Sequence, residues 1–519
     1  MTDHIDPRTP ILVGGAQFTQ RTAKSDIKQS LSPIEMMAKV ATDAIADSGG
    51  KNLAAAIDTI SVVRFTADSP GDQGRLPKRM FRNPPHSLAT RIGARPRRSF
   101  YTATGGNTPQ WLVNRTAEEI ANGECDVALL AGAEYIASML GAMKQGVDLG
   151  WGSGPDSDPG DDPTEIGDQR SGTTDYERRH GLAFPVNVYP LFENGLRGMK
   201  RRSPAEHLEW LGKFFSPFTK VASENPYSWF PTYRSPQEIS TPSDKNRFVG
   251  FPYTKYLNAV IEVDMAAAVV MTSVAKAREL GIPESKWVYL HGCGDAADIW
   301  NVSERVNFHS SPAIRTIAKK AFAMADLDIG DVSFIDLYSC FPSAVEIGCQ
   351  EFGIPTDDPR GLTITGGLPY FGGPGNNYVM HSIVQMAQKL RKAPGKFGLA
   401  TGNGWYVTKH SAGIYSTKPT LGKWRREDPK SYQKDIDAMA HPEVVEKPSG
   451  AATVETYTVV LDRRGKRFGI VVGRDEQNRR FLAHTPDDDA TLDWMMREEI
   501  LGKRGTVTTG DVTNLFRFS

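Results

Sequence analysis

The tract Thr102-Ala103-Thr104-Gly105-Gly106 returns far downstream as Thr363-Ile364-Thr365-Gly366-Gly367. Each copy leads into a helix-like stretch and then an apolar strand. The first runs through Trp111 to Ile120 into Asp126-Val127-Ala128-Leu129-Leu130-Ala131-Gly132, the second through Tyr378 to Leu390 into Phe397-Gly398-Leu399-Ala400-Thr401-Gly402. A second pair, Asp58-Thr59-Ile60-Ser61-Val62-Val63 and Asp331-Val332-Ser333-Phe334-Ile335, keeps the same order at a similar offset. Two ordered matches imply a duplicated fold, where one five-residue coincidence would imply little. A strand, a glycine bend and a helix start gather unpaired backbone N–H groups. The duplication therefore predicts two helix N-termini aimed at one shared site.

At 519 residues the chain is too long for one core, so two to four domains are expected. The 61 basic and 61 acidic residues cancel, which excludes a global field drawing the protein to nucleic acid or a membrane surface. The richest apolar run, Ala266 to Val270, is far shorter than a spanning helix, and Met1-Thr2-Asp3-His4 lacks the features of a signal peptide. Cys125, Cys293, Cys340 and Cys349 are scattered and form no CxxC metal or redox motif. These features predict a reduced cytoplasmic protein with no metal site and no membrane partner.

Ile11-Leu12-Val13-Gly14-Gly15 reads as a buried first strand, and Ser32-Pro33 as the N-cap and first position of a helix reaching about Ser48. Strand Ile60–Phe65, a basic Pro-rich stretch from Ser69 to Arg97, segment Ser99–Thr102, helix Trp111–Ala121 and strand Val127–Ala131 complete a first half, 1–140. In 141–250 the pattern breaks down into an acidic loop (Gly152 to Pro163) and an aromatic, Pro-rich excursion that predicts binding surface over one face. The loop's aspartates fit no EF-hand, so a solvated loop is expected there. In 251–420, strand Asp264–Val274 is followed by Val288–Cys293, which opens the second half. Helix Ala313–Ala323, strand Val332–Leu337, helix Pro342–Phe352 and strand Phe397–Thr401 follow. Within 421–519, strands Val454–Leu461, Gly469–Gly473 and Phe481–Thr485, helix Ala490–Ile500 and strand Gly505–Thr509 predict a compact, OB-like β-barrel.

These landmarks resemble the thiolase superfamily. Asn225-Pro226-Tyr227-Ser228 is similar to its Asn-Pro-Tyr-Ala segment and Asp264-Met265-Ala266-Ala267-Ala268 to its Asp-Gly-Ala-Ala-Ala strand. Tyr338-Ser339-Cys340-Phe341 stands where it has His-Asp-Cys-Phe. The likeness is nearest to the sterol-carrier-protein type and, with the C-terminal addition, to the type-1 thiolase-like proteins. It implies an α/β duplicated thiolase fold of five layers (α/β/α/β/α) with a loop-domain insert and a small C-terminal barrel. It also implies acyl-CoA as substrate or ligand with no covalently bound cofactor, in the acetyl-CoA acetyltransferase manner, in lipid or polyketide-type metabolism.

The same resemblance exposes what is missing. The family's nucleophilic cysteine, a thiolate activated at a helix N-terminus, falls on Gly106. Its Gly-His-Pro reads Gly372-Gly373-Pro374, its motif histidine is Tyr338, and its Cys-x-Gly site is Gly402-Asn403-Gly404. Ordinary thiolysis is therefore expected to be poor, and the vacated space is expected to enlarge the pocket. The turn Gly372-Gly373-Pro374-Gly375-Asn376-Asn377 is expected to cap a helix and, with Asn403, to offer polar groups to a thioester. Glycines packing a helix on a sheet explain the same pattern. Cys340, His381 and His410 are the candidate catalytic set, against the alternative of an inert buried thiol and structural histidines. The other class of function is a non-catalytic acyl-CoA-binding or scaffold protein whose C-terminal domain docks a protein partner. Arg95-Pro96-Arg97-Arg98 precedes the strand that in thiolases pairs across the dimer, so monomer and homodimer both stay open. Arg463, Arg464, Lys466, Arg467, Arg474, Arg479 and Arg480, with Tyr457 or Phe481, would suit single-stranded bases, but the interspersed aspartates favour a solvated hairpin surface.

Overall fold

The computed structural model describes residues 5–69, 80–153, 156, 161–462 and 465–519. Arg463 and Arg464, the N-terminal Met1–His4, and parts of the Ser69–Arg97 and Gly152–Pro163 stretches lie outside the described residues. Among the described residues twelve strands precede the barrel. In the first half they are β1 (Pro10–Thr19), β2 (Thr59–Val62), β3 (Arg98–Thr102) and β4 (Val127–Tyr135). The insert adds β5 (Thr164–Ile166) and β6 (Phe248–Gly250), and β7 (Tyr253–Thr254) follows just beyond it. Then come β8 (Asp264–Ser273), β9 (Val288–Ala297), β10 (Val332–Asp336), β11 (Phe397–Gly404) and β12 (Lys409–Ser416).

The duplication is visible in the sheet. The first half runs β1-β8-β4-β2-β3 and the second β9-β12-β11-β10. In each, the first two pairings are antiparallel and the next is parallel. The Leu362–Thr365 segment lies where β3 would be repeated, held by the Leu337 N–H donating to the Leu362 carbonyl at 2.9 Å. The halves join edge to edge through Ile11↔Tyr289 and Leu12↔Val288. β8, from the 251–420 segment, sits inside the first half's sheet between β1 and β4, so that sheet closes only after the insert has been made.

Small residues set the layer spacing. A Cβ at Gly14 of β1 would lie 2.1 Å from the Ala44 carbonyl oxygen, and one at Gly292 of β9 would lie 2.0 Å from that of Ala321. The equivalent strands thus carry equivalent glycines, against which helices Pro33–Ser48 and Pro312–Ala325 press their backbones. The first of these helices is capped by Ser32 and Glu35 in a reciprocal box with Pro33 at its first position, as its sequence predicts. Helices Thr108–Ala121 and Tyr378–Lys392 pack on one another and on strands of both halves, forming the central layer of five.

The insert departs from its expected irregularity. Helices Pro185–Met199 and Pro204–Glu224 occupy it, each with an internal proline (Pro190, Pro217) that breaks the sequence pattern. The buried faces of both helices outweigh that local cost. The second buries Leu211, Phe214, Phe215 and Phe218 and covers the later glycine tract: a Cβ at Gly366 would meet Ala222 at 2.5 Å. Asn225 ties the same tract, donating to the Thr365 carbonyl and to Gln385, both at 2.9 Å.

The C-terminal domain is a closed barrel of β13 (Gly450–Leu461), β14 (Arg467–Asp475), β15 (Arg480–His484), β16 (Arg504–Thr508) and β17 (Leu515–Phe518). Its order is β13-β14-β15-β17-β16 and back to β13. The insert's β6 adds to β13 at Gly250↔Val460. Tyr457 and Phe481, the residues considered for base stacking, are fully buried in the barrel core. The basic residues around them face carboxylates: Arg467 meets Asp489 and Asp493, Arg474 and Arg480 meet Glu455, and Arg479 meets Asp475. Among the described residues no helix is long and apolar enough to cross a membrane.

Candidate functional site

The two central helices do converge at their N-termini, as the repeat predicts. The Gly105 N–H donates to Asn376 Oδ1 at 2.9 Å, linking the start of one helix to the start of the other. The later helix begins at Tyr378, eleven residues past the end of its TxTGG copy, after the turn Gly375-Asn376-Asn377, because Gly366 and Gly367 are used against the insert. Asn376 and Asn377 do not cap it as expected. Asn376 donates to the Arg64 carbonyl at 2.8 Å and Asn377 to that of Gly132 at 2.7 Å, so both clasp the first half.

The space expected at Gly106 is filled. A Cβ there would lie 2.1 Å from Tyr338 Oη and 2.6 Å from the Asn403 carbonyl oxygen. Tyr338 follows β10, is anchored by its N–H to Thr401 Oγ1 at 2.9 Å, and sets its ring edge-on to Tyr378. Burial holds its phenol well above the ordinary value. What remains is a cavity of about 20 Å³ lined by Tyr338, Asn403, His410 and apolar neighbours, room for one water. Tyr338 thus takes the room that a side chain at residue 106 would need.

The candidate triad is brought together only in part. Cys340 is 6 % exposed, its sulfur 4.0 Å from the Asn403 amide nitrogen, and burial pushes its thiol up to about 12. Asn403 also donates to Tyr189 Oη at 3.0 Å and stands opposite His410 in the β11–β12 ladder. His410 Nε2 lies 3.5 Å from Asp298 Oδ2. His381 is elsewhere: fully buried, with Nδ1 3.1 Å from Gln17 Oε1, Nε2 unpartnered and its ring against Phe371. Burial pulls it down to about 3, so it is neutral at physiological pH.

Most N–H groups of the glycine turn are also spoken for. Gly373 donates to the Val260 carbonyl at 2.9 Å, Gly375 to Gly373 at 2.7 Å and Asn377 to Pro374 at 2.8 Å. The Asn376 N–H supports Glu134, a residue that no motif singled out. Its carboxylate accepts from the Thr66 N–H at 2.8 Å and the Thr66 hydroxyl at 2.7 Å, and occupies the place a side chain at Gly375 would need. Burial raises it to about 7. The one sequence signal for Glu134 is a lone acid ending an otherwise apolar strand, and Lys409 is its basic counterpart at the start of β12. Among the described residues no group of three His, Cys, Asp or Glu side chains could hold a metal ion.

Comparison with known proteins places this geometry. Residues 431–511 match the family described as "Thiolase-like protein type 1 additional C-terminal domain". The crystal structure of a monomeric SCP2-thiolase like protein type 1 (STLP1) from Mycobacterium smegmatis is 35% identical. The match covers 99% of this chain and 100% of that one, with a TM-score of 0.83. The Ltp2-ChsH2(DUF35) aldolase (17% identity, 79% and 98% coverage, TM-score 0.58) shares the fold. So does the acetyl-CoA acetyltransferase from Syntrophomonas wolfei (16%, 80% and 100%, 0.54). The search of curated proteins returned no match. A duplicated thiolase-type core, an insert threaded into both its sheet and its barrel, and identity across the full length lead to one assignment: the chain belongs to the SCP2-thiolase-like proteins of type 1.

Proposed function

We propose that this protein handles acyl-CoA by binding and does not carry out thiolysis, acting in cytoplasmic lipid metabolism. The observation that carries the reading is the 2.1 Å separation between Tyr338 Oη and the position of any Cβ at residue 106. An acyl-enzyme needs a side chain there, and the tyrosine takes its room. The remaining groups do not substitute near neutral pH. The Cys340 thiol, at about 12, stays protonated, and the His381 ring, at about 3, is neutral and too weak a base to take a thiol proton.

Titration calorimetry with CoA, acetyl-CoA and a long-chain acyl-CoA, beside an acetoacetyl-CoA thiolysis assay, tests this. Saturable binding, tighter for the thioesters and without turnover, is the expected result. Cleavage at ordinary enzyme rates would overturn it. A second reading, a scaffold whose C-terminal domain docks a protein partner, is favoured by the small central cavity, about 20 Å³. No binding at millimolar ligand would select it.

A further inference from the structure

A different cavity, of about 170 Å³, lies where the Thr108–Ala121 helix begins over β9 and β12. Asn107, Trp111, Asp168, Trp300 and Lys409 line it. Its rim is made by the insert just after β5. Arg170 pairs with Asp168 at 2.6 Å and stacks its guanidinium 3.8 Å over the Trp300 ring, while Trp300 Nε1 donates to the Ser171 carbonyl at 2.7 Å.

Lys409 is 8 % exposed. Its stem passes the two glycine bends: a Cβ at Gly105 would lie 2.9 Å from its Cε and Nζ, and one at Gly404 3.2 Å from Cε. The amine donates to the Thr104 carbonyl and, among the described residues, makes no ion pair. A buried lysine without a carboxylate partner is costly as a cation. Burial accordingly lowers it to about 8, with Asp168 raising it and Arg170 lowering it. Independently, Asn107 is 7 % exposed and its Oδ1 has no hydrogen-bond partner. That oxygen converges on Lys409 beside Gly404, where a Cβ would lie 2.5 Å from it.

A hidden amine, an unpaired acceptor beside it and two indole walls in one cavity suit carbonyl chemistry. We propose that Lys409 condenses with a small, uncharged aldehyde or ketone held between Trp111 and Trp300. The lone pair of the free amine attacks the carbonyl carbon. The resulting carbinolamine hydroxyl donates to Asn107 Oδ1. Both amine hydrogens and the carbonyl oxygen then leave as water, and the C=N bond forms. Asp168, on the same wall and paired with Arg170, favours the ammonium form of Lys409 between turnovers. This site adjoins the central cavity, since His410 lines both, but the proposal does not depend on the acyl-CoA reading.

The test treats the full chain with limiting propionaldehyde, reduces with borohydride at pH 8, and maps the N-propyl lysines by mass spectrometry. The expected result is an adduct at Lys409 about tenfold or more above any exposed lysine, since an ordinary lysine holds far less free amine at that pH. Labelling should rise through a midpoint near 8. Asp168→Asn should lower that midpoint, because the carboxylate stabilises the ammonium. Lys409→Arg should lose the preferred adduct. Should that variant fail to fold, Trp300→Ala, at the half-exposed rim, should reduce the preference severalfold. Label spread over lysines in proportion to exposure, or a midpoint unmoved by Asp168→Asn, would overturn the proposal.

Discussion

Tyr338 and Gly106 act as one unit, each shaped by the other. Gly106→Ala drives a methyl group against the phenol, and overpacking of this kind costs about 1–3 kcal/mol. Chemical denaturation should show that loss, and the losses of Gly106→Ala and Tyr338→Ala should fail to add in the double variant, since one change vacates the room the other needs. Glu134 makes a different prediction. Its folded-state value, about 7, stands above the unfolded value near 4.5. The native state therefore holds a proton the unfolded chain has released, and this stability is full below pH 4.5 and fades as pH rises through 7. Glu134→Gln should flatten the decline in that window and raise stability at pH 8 relative to the parent, read by urea melts at pH 5 and 8. The sequence marked Gly106 and Tyr338 as the positions where the resemblance expects a nucleophile and a histidine. That the second fills the space of the first depends on a contact between segments more than two hundred residues apart, which no local pattern records. Glu134 and Lys409 escaped for the same reason, as single charges whose meaning comes from the glycines packed around them.

At the scale of elements, the short strand β5 has an effect out of proportion to its three residues. It pairs in parallel with β3 through Phe100↔Thr164, Tyr101↔Glu165 and Thr102↔Ile166, along the edge that in thiolases would meet a second subunit. Arg64 pins it, its Nη2 2.7 Å from Glu165 and its Nε 2.7 Å from the Thr102 carbonyl. Arg64→Ala should release β5, expose the β3 edge and shift the protein toward dimers or larger species, measurable by light scattering coupled to size exclusion. Glu165→Ala should do the same more mildly, because its carboxylate is partly solvated. Strands and helices of the duplicated core were legible because apolar period and capping agree, as at Ser32-Pro33 and Pro342–Phe352. The insert's two long helices were not, because Pro190 and Pro217 read as breakers while their aromatic faces are buried by tertiary contacts. β17 was missed too, as four residues carry no period.

Across the whole molecule, the barrel is a built-in part of the core. Arg480 is fully buried and donates to the carbonyls of Ser303 and Arg305 while its Nε and Nη2 hold Glu455 at 2.8 and 2.6 Å. Tyr176 of the insert accepts the Leu482 N–H at 2.8 Å, and Arg197 reaches Glu499 at 2.6 Å. Arg480→Ala leaves the buried Ser303 and Arg305 carbonyls without their donor and Glu455 with Arg474 alone, and should cost about 1–3 kcal/mol. Calorimetry should show one cooperative transition in the parent and a separate, earlier barrel transition in the variant.

The β3–β5 pairing also bears on how the fold survives dilution. An enzyme that borrows its outermost strand contact from a twin is only as intact as its concentration allows. Here the chain supplies that neighbour itself, from a segment about sixty residues further along. The vulnerability moves from scarcity to cleavage. A nick between β4 and β5 would loosen that edge at any concentration, so the insert's backbone is the tether that keeps β3 covered.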